Sequence, residues 1–296
     1  MGGVHGSELV GAAVSPLVAG AVAGAPTARR VLGVFDTCVY VELGAHDRVL
    51  ALLAADALHL PIGLRLARPS SALRWGVEPG DDIVVGAGRL VLPSLEVVAS
   101  RLARPSRVHA APRVPTVADA ELLPDPGVLG ELTFHLTVTA LAGRPLADAV
   151  LGLVGAGRGL TPSGDDALCG VLLALASVGH PDAARALAAL RAQVLPALGR
   201  TTSLSAALVL AAASGYAVPD VVRLVTLTVH PGAHQTARAD LTARADRTAY
   251  GPVLERVLAI GHSSGRDLLA GVSGALRALA VLEPHPTTPP EGAHRA

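Results

Sequence analysis

Two hydrophobic periodicities divide the chain. Up to about residue 105 the apolar positions fall in short runs rich in Val, Ile and Tyr: Val31–Leu43 (VLGVFDTCVYVEL), Leu58–Leu66 (LHLPIGLRL) and Asp81–Leu92 (DDIVVGAGRLVL). Such runs predict strands, with a bend at Pro61 and Gly63 and a hairpin turn at Gly86-Ala87-Gly88. From Val128 onward Leu, Val and Ala recur at three- and four-residue spacing, with Pro or Gly at most junctions. That pattern predicts helices over 128–142, 146–154, 165–178, 181–198, 203–214, 219–229, 233–248, 252–260 and 265–282. Residues 104–127 hold five prolines and little periodicity, the composition of a linker, and the tail after Glu283 is again Pro-rich. The expected fold class is therefore α+β. A mainly β N-terminal domain over 1–105, for which a barrel-like closure is one form, precedes a linker over 106–127. An all-α helical bundle over 128–283 and a disordered tail over 284–296 follow.

One stretch stands out from the periodicity. Gly155–Leu175 reads GAGRGLTPSGDDALCGVLLAL: three glycines at alternate positions, then Thr161-Pro162-Ser163, then Asp165 and Asp166 at the start of an apolar helix. A Gly-rich loop running into a helix N-terminus offers an anion site. Two carboxylates in that first turn offer instead a seat for a hard cation such as Mg²⁺. The signature recurs about a hundred residues later: Ser163-Gly164-x-Asp166-x-x-x-Gly170 is matched by Ser264-Gly265-x-Asp267-x-x-x-Gly271. Each copy alone is also what a capping box looks like, with Ser at N-cap and Asp at N3. Capping does not require the two glycines, which would put bare backbone on the carboxylate's face, four residues on. Two such helix starts facing each other would form one polar pocket.

GLTPSGDD, the later GHSSGRDLLAG and the intervening RTTSLSAALVLAAASG resemble a bacterial family first defined as a domain of unknown function. That family includes AllH, a subunit of the oxamate carbamoyltransferase of anaerobic allantoin breakdown. The resemblance covers roughly Leu151–Leu279. It implies an AllH-like subunit that interconverts oxalurate plus phosphate with oxamate plus carbamoyl phosphate, with other carbamoyltransferase subunits (FdrA-like proteins) as partners. On this basis Asp166, Asp267 and His262 are the catalytic candidates. Gly159, Thr161, Ser163, Gly164, Asp165, Thr202, Ser205, Ser264 and Gly265 are the candidates for holding a small anionic substrate. Asp166 and Asp267 are the candidate ligands if Mg²⁺ takes part; no other cofactor is expected. The alternative is a non-catalytic scaffold subunit whose motifs only hold an anion or other ligand.

Composition narrows the chemistry. Half of the 296 residues are hydrophobic but only 2% are aromatic, so the core must be Ala, Val and Leu. Net charge is zero, which argues against nucleic acid or an anionic membrane as main partner. All 24 cationic side chains are Arg, and the absence of Lys removes a Walker A lysine, Schiff-base chemistry and a Ser–Lys dyad together. Cys38 and Cys169 are far apart, with no C-x-x-C, so neither a disulfide framework nor a zinc site is indicated. Cys169, one turn past Asp166, reads as a small core filler. Leu9–Ala28 is uncharged but lacks a basic start and contains Pro16, so it is not read as a signal peptide. Thr201–Pro219 reads as a buried helix, and the expected location is the cytoplasm.

Three further constellations compete for a role. Gly261-His262-Ser263-Ser264-Gly265 satisfies G-x-S-x-G, but a nucleophile elbow needs a preceding strand and Pro252–Ile260 has helical spacing. His230 and His234 have helical metal-pair spacing, interrupted by Pro231-Gly232, and read as a surface turn. Trp75 is either a ligand-stacking residue or an anchor of the core. Arg158 and Arg266, inside the two loops, could each clamp a carboxylate or phosphate or simply stay solvated.

Overall fold

The computed structural model describes residues 8–44, 48–229 and 250–282. Eight strands close into a barrel, followed by helices. The strands are β1 (Glu8–Val14), β2 (Thr27–Val34), β3 (Cys38–Glu42), β4 (Val49–Leu53), β5 (Gly63–Leu66), β6 (Asp82–Gly86), β7 (Arg89–Val91) and β8 (Leu95–Leu102). Their order around the barrel is β1-β5-β4-β3-β2-β6-β7-β8. The closing β1–β8 pair and the β4–β5 pair are parallel and the rest antiparallel. Closure leaves no strand edge unpaired, which a β unit with few aromatics has particular reason to avoid.

The sequence expectation is refined inside the barrel. Val31–Leu43 is not one strand but the β2–β3 hairpin. Phe35 and Cys38 exchange both backbone hydrogen bonds, at 2.8 and 3.3 Å, across the two-residue turn Asp36-Thr37. Leu58–Leu66 shortens to β5, because Pro61 lacks the N–H that a ladder needs. The Asp81–Leu92 hairpin forms as β6 and β7 about the Gly-Ala-Gly turn. The uncharged start forms β1 and the helix α1 (Pro16–Ala23), whose Val18 and Val22 join the barrel core.

Trp75 belongs to this core. It is 8% exposed, and its indole N–H donates to the carbonyls of Phe35 (2.9 Å) and Asp36 (3.3 Å), clamping the β2–β3 turn. Trp75→Phe keeps the apolar bulk and removes the donor, and should cost about 1–2 kcal/mol in urea unfolding. A Trp serving only to stack a ligand would leave the unfolding midpoint where it was.

The helices are α2 (Val117–Ala120), α3 (Gly127–Leu141), α4 (Ala147–Leu153), α5 (Ser163–Ala176), α6 (Pro181–Ala197), α7 (Ser203–Ala213), α8 (Pro219–Val229), α9 (residues 250–258) and α10 (Ser264–Leu279). The expectation for 233–248, the His230/His234 pair and the tail over 284–296 lie outside the described residues. Residues 104–127 run along the helical part. Val108 N–H donates to Gly215 O (2.9 Å) and Ala111 N–H to Ser177 O (2.8 Å). Thr116 and Asp119 form a capping box at α2.

α5 is the axis of the helical core: every residue from Gly164 to Leu175 is buried. A helix apolar all round must be packed all round, and α5 meets α10, α7, α6 and α3. α7 joins the two halves, since Leu204, Ala207 and Ala211 pack into the barrel core while Ala206, Val209 and Ala212 pack into the helical one. That double contact explains why β4 is buried at every position: one face looks into the barrel and the other meets α7.

Candidate functional site

The two Ser-Gly-x-Asp copies start the two helices that cross at the centre of the molecule. Ser163 opens α5 and Ser264 opens α10, each as the first helical residue. Neither helix has a side-chain cap bond at its N-cap, Pro162 or Ser263, so these are not capping boxes. The glycines explain the repeat instead. A Cβ on Gly164 would lie 2.1 Å from Leu153 O, and one on Gly265 would lie 1.8 Å from Val257 O. Each Ser-Gly thus lays its helix start against the end of the helix before it, α4 or α9. The trailing glycines meet each other's helix: a Cβ on Gly170 would fall 2.1 Å from Leu268 O, and one on Gly271 1.9 Å from Ala167 O. The expected bare backbone is covered by the partner helix, and the carboxylates one turn earlier are brought into each other's field.

Between the copies a hydroxyl pair forms, with Thr161 Oγ1 and Ser264 Oγ 2.8 Å apart. Asp166 lies beside them. Burial pushes its carboxyl up to about 7, against the pull of the Ser264 and Thr161 hydroxyls, and the charges of Asp267 and Asp165 push the same way. The Oδ2 atoms of Asp166 and Asp267 are both buried and have no hydrogen-bond partner. An orphaned carboxylate oxygen inside a protein costs more than a surface one, and here there are two.

Asp165 is occupied. It is fully buried, its Oδ1 accepts from Gly155 N–H (2.9 Å), and its Oδ2 accepts from Ser205 Oγ (2.7 Å) and from Thr201 Oγ1. It staples the Gly-rich loop and the start of α7 to α5. Thr202 donates to Leu160 O and accepts from Ser205 N–H at 3.1 Å, holding the same loop from its other end. The N–H groups of Gly164 and Gly265 are also spent, on Ala156 O (2.8 Å) and Ile260 O (3.0 Å).

A cavity of about 300 Å³ opens onto Asp166, Thr161 and Ser264. Its walls are apolar: Leu204 and Leu208 from α7, Leu173 and Cys169 from α5, and Tyr40, Leu58, Leu60 and Pro61 from the barrel. Burial raises the Tyr40 hydroxyl and the Cys169 thiol, so both present neutral groups at physiological pH. Among the described residues no Arg or His lines the cavity. His262, Arg158, Gly159 and Arg266 are exposed and stand outside it; Ser163 is half-buried and does not line it either. α9, a helix, precedes Gly261, so the G-x-S-x-G match has no strand to build an elbow on. Among the described residues no group of three or more His, Cys, Asp or Glu could hold a metal ion. None of their helices is long and apolar enough to cross a membrane.

The barrel wall was not foreseen, because nothing in Tyr40 or Leu58–Pro61 signals a contact with residues more than a hundred positions on. Comparison with curated proteins and with solved structures gives no match. Over residues 153–276, the stretch that carries both helix starts and the crossing between them, the chain matches the model of the family described as oxamate carbamoyltransferase subunit AllH.

Proposed function

We propose that the chain is the AllH-like subunit of a carbamoyltransferase acting between oxalurate plus phosphate and oxamate plus carbamoyl phosphate, and that the Asp166 cavity receives the carbamoyl or ureido end of the substrate. The observation that carries this is the buried, unpartnered Oδ2 of Asp166, which lines the cavity; the Oδ2 of Asp267 is also buried and unpartnered, but Asp267 is not part of the cavity lining. The Asp166 oxygen needs an N–H donor, and an amide or ureido group brings several. The Thr161–Ser264 hydroxyl pair supports the assignment as a donor pair for the adjoining carbonyl oxygen.

In the forward direction a phosphate oxygen would bond to the ureido carbon and the C–N bond would break. The phosphate's proton would pass to the departing amide nitrogen, giving oxamate. Asp166, with its carboxyl near 7, is suited to relay that proton. The described lining of the cavity offers phosphate no cation. Its charge must be met from outside, which agrees with activity that depends on further subunits such as FdrA-like proteins. The same lack of cations favours the second reading, a ligand-holding subunit without catalysis. Carbamoyl transfer by the chain with and without its partner subunits separates the two.

Calorimetry with oxamate and oxalurate tests the site. Asp166→Asn and Asp267→Asn should each weaken binding by about 1–3 kcal/mol, the worth of a charge-assisted hydrogen bond. Binding to the unsubstituted chain should tighten as pH rises through about 7, where Asp166 becomes an acceptor at both oxygens. A chelator should change nothing. Binding that vanishes with chelator would replace this assignment by Mg²⁺ held on Asp166 and Asp267. Equal affinities in all three proteins would remove the carboxylates from the site.

A further inference from the structure

Beyond the Leu60–Pro61 wall of the Asp166 cavity lies a second cavity, of about 420 Å³ and of opposite character. Arg65 from β5, Arg101 from β8, Arg104 just past it, and His59 from the loop before β5 line it, together with Ser15 and Ser106. Among the described residues no acidic side chain does. In a chain whose net charge is zero, three arginines from three places lining one cavity, with no carboxylate among its described lining residues, is a local imbalance.

The partners of these groups sharpen the point. Arg65 donates to Ala55 O at 2.9 Å, and its other terminal nitrogen lies 3.5 Å from His59 Nδ1. Neither Arg101 nor Arg104 makes an ion pair or side-chain hydrogen bond with another described residue. The nearby arginines differ: Arg68 pairs with Glu8 and Arg89 with Glu96. Desolvation and the Arg65 guanidinium hold the His59 imidazole below its ordinary range, and only Asp220 pulls the other way. That carboxylate is itself engaged by Arg256 at 2.9 Å. His59 is therefore a neutral N–H donor beside the fixed positive charge of Arg65.

We infer that this barrel-side cavity is an anion site for a phosphate-class dianion, held by Arg65, Arg101 and Arg104 with His59 as a neutral donor. Guanidinium forks from separate elements suit a tetrahedral oxyanion, which presents oxygens in several directions. The site's three arginines and His59 precede the stretch of family likeness, and its test does not depend on the reaction proposed above.

The probe is inorganic phosphate, titrated by calorimetry at low and at physiological salt, with carbamoyl phosphate and oxalate as parallel arms. Phosphate should bind the intact chain, weaken with salt, and lose at least tenfold in affinity in the Arg101→Gln/Arg104→Gln double variant. Both side chains are exposed, so the variant should keep the thermal midpoint of the parent. Phosphate should also raise the His59 pKa, read by NMR of the imidazole. Asp166→Asn should leave phosphate binding unchanged while weakening oxamate, so failure of this site and failure of the Asp166 site are told apart. Carbamoyl phosphate losing affinity in the double variant would identify the phosphoryl end of a substrate as the occupant. Retention of its affinity, with phosphate lost, would identify free phosphate. No phosphate binding at millimolar concentration, binding untouched by the double substitution, or tighter binding of oxalate than phosphate would overturn the inference.

Discussion

Gly271→Ala should unfold at a much lower urea concentration than the parent chain, with a loss of about 3 kcal/mol or more. Helix propensity alone has the opposite sign, since Ala is preferred to Gly in a helix interior by about 1 kcal/mol. The packing decides. The new Cβ would lie 1.9 Å from Ala167 O, 2.7 Å from its carbonyl carbon and 2.9 Å from its Cα, all of them backbone. No rotamer relieves a clash with main chain. α5 cannot retreat either, because it is buried on all sides. The helices must separate, and overpacking of this kind commonly costs about 1–3 kcal/mol and sometimes more. Gly170→Ala should behave alike, its Cβ falling 2.1 Å from Leu268 O. Gly152→Ala is the control: it sits in α4 with nothing within 4 Å of the added carbon, so propensity should act alone and stabilise by about 0.5–1 kcal/mol. Equal midpoints for Gly271→Ala and the parent would mean that α5 and α10 do not cross here. Asp166 and Asp267 would then lose their common setting.

That crossing also shows how the site came to be legible in sequence. Ser-Gly-x-Asp-x-x-x-Gly repeats because the same packing problem is solved twice, once at each helix start and once at the mutual contact. A backbone approach within van der Waals distance tolerates only glycine, so the constraint survives as a readable pattern. What the sequence pattern did not show is the packing the glycines allow: Gly164 and Gly265 lie against the end of the preceding helix, and Gly170 and Gly271 against the partner helix. Asp165 was grouped with Asp166 because they are neighbours. On a helix adjacent residues point about 100° apart, and that turn sends Asp165 toward Thr201 and Ser205 while Asp166 faces the cavity.

Strand content was readable where turns are marked, as at Gly86-Ala87-Gly88, and was lost where they are not. β4 (VLALL) carries no alternation, because α7 covers the face that would otherwise be polar. β1 was hidden inside an uncharged stretch that suggested other readings. The Arg65, Arg101 and Arg104 set left no trace at all. In a chain with 24 Arg and no Lys, an arginine is too common to be a signal until the barrel closes and brings β5 and β8 to either side of β1.

Asp166→Asn should make the folded chain more stable at pH 8 while weakening the oxamate binding proposed for this site. In the fold the Asp166 carboxyl is raised from 3.8 to about 7, chiefly by burial. The folded chain therefore binds that proton more tightly than the unfolded one. The stability tied to it is fully present below about pH 4 and is lost as pH rises through about 7. A shift of about 3 units corresponds to about 4 kcal/mol as an upper bound, at about 1.4 kcal/mol for each unit. Asparagine has the same shape and no charge at any pH, so the variant lacks this loss. Subtracting urea-unfolding free energies of the parent from those of the variant cancels the titration of every group not coupled to Asp166, leaving that carboxyl with its neighbours Asp165 and Asp267. The difference should grow by about 2–4 kcal/mol between pH 4.5 and pH 8, with its midpoint between the unfolded and folded pKa values. Parallel stability curves would show that the carboxyl titrates in the fold as it does in water, and its role as a proton relay would fall with that result. A growing difference accompanied by weaker oxamate binding would show that the chain accepts a destabilised carboxylate because the ligand's N–H groups are what satisfy it.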